Sequence, residues 1–220
     1  MSIQNSLEKY RDILSKHNAQ LIAVSKTKPN GDLLQAYEAG QRDFGENKVQ
    51  ELARKAEELP KDIKWHMIGH LQRNKVKYLA PFVHLIHSVD SLRLLAEINK
   101  QALKNERVID CLLQVYIAEE DTKFGLNERE LNEIIGSEEF KQLNNVRVAG
   151  LMGMATFTDS QEQVRKEFRL LKTIYNSLEN KMKNLSILSM GMSGDYQIAI
   201  EEGSTMVRIG SSIFGARNIH

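Results

Sequence analysis

The chain is poor in most of the residues that announce a special environment. Its one cysteine, Cys111, cannot form a disulfide within a single copy, and a reducing compartment is expected. Three prolines and thirteen glycines are spread thinly, so no linker or low-complexity tract divides the sequence. Neither sign of charge dominates: 30 Lys and Arg against 29 Asp and Glu leave a formal charge of +1. That balance lacks the strong basic footprint of a nucleic-acid-binding domain, although a local basic pocket remains compatible with it. No apolar run approaches the roughly 20 residues of a membrane-spanning helix, and the first residues, Met1-Ser2-Ile3-Gln4-Asn5, are mostly polar. These absences lead to the expectation of a cytoplasmic protein, one domain over residues 1–220, without a nucleic-acid or membrane partner.

What is present is alternation. Short apolar runs at residues 21–26, 43–46, 65–69, 85–90, 111–117, 146–154, 185–192 and 206–215 read as buried strands. Helix-period segments at 31–39, 48–59, 71–79, 91–104, 128–135, 161–182 and 195–202 lie between them, and one more at 4–16 precedes the first strand. Eight strands alternating with helices imply parallel pairing through right-handed crossovers. The fold class expected is α/β: a single (β/α)8 TIM barrel with an extra N-terminal helix. A doubly wound open sheet is the alternative, but no G-x-G-x-x-G follows the first strand.

The barrel reading places chemistry at the C-terminal ends of strands. Lys26 closes the first apolar run at such an end. An ammonium there either snorkels to the rim or, kept partly from water, becomes an amine nucleophile for Schiff-base chemistry. After the seventh run, Met190-Gly191-Met192-Ser193-Gly194-Asp195 forms a Gly/Ser turn; after the eighth, Arg208-Ile209-Gly210-Ser211 repeats glycine and serine beside a cation. Each loop alone reads equally well as a capping serine and a close-fitting glycine. Two on neighbouring strands favour a phosphate ligand. An imine-forming lysine with a phosphate cradle suits pyridoxal 5′-phosphate (PLP), and suits a Schiff-base sugar-phosphate aldolase too. Arg208 reads either as a phosphate contact or salt bridge, or as a partner of the PLP pyridine nitrogen, where an arginine weakens the electron sink.

Several segments fall in order along the chain: AVSKTKP (23–29), FGEN (44–47), WHMIGHLQRNK (65–75), LMGM (151–154), LSMGMSGD (188–195) and STMVRIGSSIFGAR (204–217). With these the chain resembles the YggS/PROSC family of PLP homeostasis proteins, itself similar to the barrel domain of alanine racemase. The resemblance implies PLP as cofactor, held as a Schiff base on Lys26. It implies phosphate contacts from Ser193, Gly210 and Ser211, a pyridine-nitrogen partner in Arg208, and a polar residue near the cofactor in Asn47. Met67 stands where the family commonly has Phe, and residues 122–125 depart from the small residue often found before the glycine.

Other candidates read as structural. His66 and His70 are four apart, but a strand and a glycine separate them, so they read as a rim residue and a loop residue; no metal site is expected. His87 and Ser88 are candidates to border the cofactor. The charge-rich stretch 51–64 reads as a solvated helix face, and Arg73, Lys75 and Lys77 as a solvent-facing patch. Met190 and Met192 read as core, and Cys111 as inert.

Racemisation needs acid/base groups on both faces of the substrate carbon. Lys26 supplies one, and Tyr196 is the only tyrosine placed to stand in for the other. The expectation is therefore a monomeric carrier that buffers or delivers PLP, with apo PLP-dependent enzymes as candidate partners and no committed reaction. The alternatives are a fold-type III PLP-dependent amino-acid racemase, or the aldolase.

Overall fold

Side chains alternate along each strand, and that alternation builds two separate cores. In β8 (Met206–Ile209), Val207 and Ile209 join the large apolar layer between strands and helices, whereas Met206 joins a small cluster with Ile22, Leu85, Leu112, Ala149 and Met152. Such a small second cluster is what a barrel interior requires. The computed structural model describes residues 2–120 and 124–215, and in it eight parallel strands close in chain order. They are β1 (Gln20–Val24), β2 (Asp43–Glu46), β3 (Lys64–Met67), β4 (Leu85–Val89), β5 (Ile109–Gln114), β6 (Val146–Met152), β7 (Ile187–Met192) and β8. The ring is sealed by β1 against β8, in register from Gln20↔Met206 to Ala23↔Ile209.

Helices cover the outside: α1 (Ile3–Ser15), α2 (Asn30–Glu38), α3 (Val49–Glu58), α4 (Val76–Leu79), α5 (Leu92–Lys104), α6 (Glu128–Gly136), α7 (Glu138–Lys141), α8 (Gln161–Glu179), α9 (Tyr196–Glu201) and α10 (Ser211–Phe214). Local chemistry sets their starts. Ser91 caps α5 by accepting from Leu94 N, and Asn127 with Glu130 forms a reciprocal capping box on α6. α1 buries Leu7, Tyr10 and Leu14, at helical spacing, and packs against β1, α2 and α10. The Tyr10 and Tyr196 rings meet edge to face, 5.3 Å between centroids.

The barrel and its extra first helix agree with the sequence expectation, and β2 spans the expected residues. Several bounds shift by a few residues, α7 is additional, and two segments differ for a local reason. Residues 71–79 contain a 3-10 turn (Arg73–Lys75) and the single turn of α4, which ends just before Pro81, a residue with no N–H to carry the helix on. The last strand stops at Ile209 rather than at 215: Gly210 turns the backbone into α10, which buries Ile213 and Phe214. Of the segments quoted above, residues 122–123 and 216–217 lie outside the described residues. No helix among the described residues is long and apolar enough to cross a membrane.

Gly150 marks how closely β6 and β7 approach. A Cβ there would fall 1.7 Å from Ile187 O, its ladder neighbour. Backbone cannot yield without losing the ladder, so Gly150→Ala should cost about 3 kcal/mol or more. The urea midpoint measures this; a midpoint equal to that of the parent protein would contradict the seam described.

Candidate functional site

Four neighbouring strands deliver their C-terminal ends to one stretch of the barrel rim. Lys26 follows β1, Asn47 follows β2, Ser193 follows β7, and Gly210 and Ser211 follow β8. Lys26, Asn47, Ser193 and Gly210 are half-buried, and Ser211 is exposed. Arg208 lies one residue inside the end of β8 and is 4% exposed.

The turn that carries Lys26 is fixed on both sides. Ser25 N donates to Gly45 O (3.0 Å), and Thr27 adopts φ +64°, a strained value for a β-branched residue. Ser25 Oγ donates to Glu46 Oε1 (2.6 Å), while Thr27 N donates to Glu51 Oε1 (2.7 Å). Between these carboxylates sits Lys55, fully buried, whose ammonium donates to Ser25 O, Glu46 Oε1 and Glu51 Oε1, each at 2.8 Å. Three acceptors for three N–H bonds saturate the ammonium. Burial pushes the Glu46 carboxyl up from its ordinary pKa, and the pull of Lys55 and Ser25 does not fully offset it. Its other oxygen, Oε2, is buried without a hydrogen-bond partner among the described residues. Lys28 Nζ, donating to Phe214 O (2.8 Å), ties the same turn to α10.

Lys55 overturns the expectation that 51–64 is simply a solvated face. Its signal was in the sequence: it falls in the same helical stripe as Val49, Leu52, Ala56 and Leu59, four residues after Glu51.

Beneath the rim, a hydrogen-bonded chain crosses the barrel interior. Arg208 Nη1 donates to Ser189 Oγ (2.6 Å) and Ser189 O (2.9 Å), and Nη2 to Gly153 O (3.2 Å). Ser189 Oγ lies 3.1 Å from His87 Nδ1; His87 Nε2 lies 2.9 Å from His66 Nδ1; His66 Nε2 lies 3.1 Å from Asp43 Oδ1. Burial lowers the Arg208 pKa to about 10, which leaves it cationic and donor-only at neutral pH. Burial also drives both imidazoles below their ordinary pKa, His87 strongly, and keeps them neutral. Burial opposes the Asp43 carboxylate, yet hydrogen bonds from His66 and Gln20 outweigh it and hold its pKa down.

The two ends then dictate every proton between them. Asp43 only accepts, so His66 carries its hydrogen on Nε2 and accepts at Nδ1. His87 must donate from Nε2 and accept at Nδ1; Ser189 donates to His87 and accepts from Arg208. His87 is thus an interior residue rather than a border of the site, and Ser88 bonds Gly69 O.

The two Gly/Ser loops do meet. Gly191, at φ +97°, turns the end of β7 where a Cβ would strike Ala199 at 2.6 Å. Met192 N donates to Asp195 Oδ1, and Ser193 Oγ accepts from Gly210 N at 3.4 Å. Tyr196 points elsewhere: it is buried against Tyr10 of α1, so the tyrosine singled out as a second acid/base group is a packing residue. Cys111 is fully buried, and burial pushes its thiol pKa far up, which makes it inert.

With this geometry in view, comparison with known proteins decides the family. The family described as alanine racemase, N-terminal domain, matches residues 1–218. The pyridoxal phosphate homeostasis protein of Aquifex aeolicus is 44% identical over 201 residues, 90% of this chain and 87% of that protein. The chain belongs to the pyridoxal phosphate homeostasis family. The Escherichia coli homeostasis protein is 36% identical over 208 residues, 93% of this chain and 88% of its own. Among solved structures, PipY of Synechococcus elongatus with PLP bound superposes with TM-score 0.89 at 35% identity, covering 97% of this chain and all of that one. An alanine racemase of Clostridium difficile shares the fold alone, at 16% identity and TM-score 0.79. This homeostasis-family chain spans 57% of that racemase.

Lys55 offers a test of the site's scaffold. Lys55→Met leaves the Glu46 and Glu51 carboxylates facing each other without their cation, and should cost about 3–5 kcal/mol by urea unfolding. Adding Glu46→Gln should restore much of that loss. Equal stability of Lys55→Met and the parent chain would show that the ammonium is not what holds the turn.

Proposed function

We propose that the chain binds PLP through Lys26 and serves intracellular PLP homeostasis, holding and releasing the cofactor without a committed reaction of its own. The observation that carries this reading is a half-buried lysine, clamped at both neighbouring residues, on the same rim as the Ser193–Gly210 contact and above a buried guanidinium. PLP supplies an aldehyde that condenses with an amine, and an aromatic ring that withdraws electrons.

The residues fit that group. Lys26 is the amine for a Schiff base, and the clamp by Ser25, Glu46, Lys55 and Glu51 sets where its Cα sits. The hydroxyls of Ser193 and Ser211 and the backbone of Gly210 form a small cradle suited to a phosphate; a Cβ on Gly210 would lie 3.2 Å from Val24 Cβ and O, a tight fit for a side chain. Among the described residues Arg208 donates to three oxygens, all neutral, and Asp195 lies near enough to favour its charge, which can still face an electron-rich ring nitrogen. Donor-only Arg208 can offer that nitrogen a hydrogen bond but never a transferable proton at neutral pH, which weakens the electron sink. Asn47 completes the rim beside Lys26.

The racemase reading loses the tyrosine singled out as its second acid/base group, since Tyr196 is sequestered against Tyr10. A carrier requires only binding and exchange, and apo PLP-dependent enzymes are the recipients proposed.

The protein loaded with PLP should be yellow, and borohydride should fix the cofactor on the peptide containing Lys26; Lys26→Ala should lose both. A fixed adduct on another lysine would overturn the assignment, and a fixed sugar-phosphate in a colourless protein would favour the aldolase. Arg208→Glu, checked for folding by circular dichroism, should shift the visible band; an unchanged band would place Arg208 away from the ring nitrogen. Lys26-dependent exchange of an amino-acid α-hydrogen with solvent would favour the racemase.

A further inference from the structure

We propose that Asp43, His66 and His84 form a binding site for a divalent transition-metal ion, zinc foremost, on the barrel face opposite Lys26. Asp43 opens β2, His66 lies within β3, and His84 immediately precedes β4, so all three gather at the N-terminal side of adjacent strands. One ligand atom from each lies within 4.8 Å of the others. A tetrahedral zinc with bonds of about 2.0–2.2 Å spaces neighbouring ligands by about 3.3–3.5 Å. The His66 Nε2–Asp43 Oδ1 edge, at 3.1 Å, is already near that spacing. His84 is exposed, with its ring edge-on to that of His66 (5.4 Å between centroids), so a small rotation brings it to the third corner, with water in the fourth. Two imidazoles and a carboxylate form a nitrogen–oxygen set suited to zinc.

A second observation supports the site. Ligating histidines are usually oriented by a hydrogen bond at their other ring nitrogen. His66 gains that partner in His87 Nε2, at 2.9 Å, once its ring hydrogen sits on Nδ1. Nearby charge cuts both ways. Lys64 opposes a cation but is exposed and can swing into solvent, whereas Asp110 favours one and is itself paired with Arg147.

Coordination has a consequence beyond the site. Zinc takes the Nε2 lone pair of His66, so the ring hydrogen must reside on Nδ1 and point at His87. His87 then accepts at Nε2 and donates from Nδ1 to Ser189, and Ser189 turns its own hydrogen elsewhere. Each ring keeps one hydrogen, so no net proton is lost, but the direction of the chain from His66 to Ser189 is reversed, while Arg208 still donates to Ser189.

The test is titration of the full chain, freed of metal, with zinc by calorimetry, with cobalt as a spectroscopic substitute. One zinc per chain should bind, with tetrahedral cobalt bands. His84→Ala, whose side chain lies outside the core, and Asp43→Asn should each weaken binding by about 100-fold or more. Urea midpoints of both variants establish that they fold. Long-range proton–nitrogen spectra of the imidazoles should show the His87 hydrogen moving from Nε2 to Nδ1 when zinc is added. No zinc binding, or binding that His84→Ala leaves intact, overturns the site. Binding that depends on His84 but leaves the His66 and His87 tautomers unchanged overturns coordination through His66. None of these readouts involves PLP, so they stand apart from the function proposed above.

Discussion

The ladder between β1 and β8 is the contact on which the barrel mouth depends. It pairs Ile22 with Arg208 and Ala23 with Ile209, and so places the residue that follows the first strand beside those that follow the last. Lys26 near one terminus and Ser193, Arg208, Gly210 and Ser211 near the other become neighbours only because the ring closes. Lys28 reaching Phe214 O reinforces the same seam from above, and α1 covers it from outside.

Closure also creates an interior that must be filled without water. This chain fills part of it with aliphatic side chains and part with the polar series Arg208, Ser189, His87, His66 and Asp43. A buried polar group without a partner costs about 1–3 kcal/mol, so such a series survives only when each member satisfies the next. A cation at one end and a carboxylate at the other meet that condition with no ambiguity. The same polar filling, not an apolar one, is what supports the guanidinium under the rim.

Much of this was legible in the sequence because it rests on local pattern. The eight apolar runs and their turn residues predicted the strands, and Lys26, Ser193 and Gly210 stand out as polar or flexible residues where apolar runs end. Tertiary facts were not legible. The stripe of α3 shows that Lys55 faces inward, but nothing local says which acceptors it meets there: Glu46 ends β2 and Ser25 follows β1. His66 and His70 advertise a spacing that the strand geometry makes meaningless, whereas His66 meets His84 and Asp43 through register. Tyr196 sits beside the right turn in sequence, yet its helix rolls it toward α1.

The covering of the β8–β1 seam by α1 has a consequence for how the chain is made. During synthesis the apolar face of α1 (Leu7, Tyr10 and Leu14) and the free edge of β1 emerge first, and their partners β8, α9 and α10 emerge last. The β8-facing edge of β1 and the side of α1 that meets α9 and α10 must therefore wait for those later segments, whereas β2 and α2 follow soon after to cover the rest. The lysine turn draws its hydrogen bonds from β2 and α3, which follow it closely in the chain, whereas the Ser193–Gly210 contact joins loops made much later.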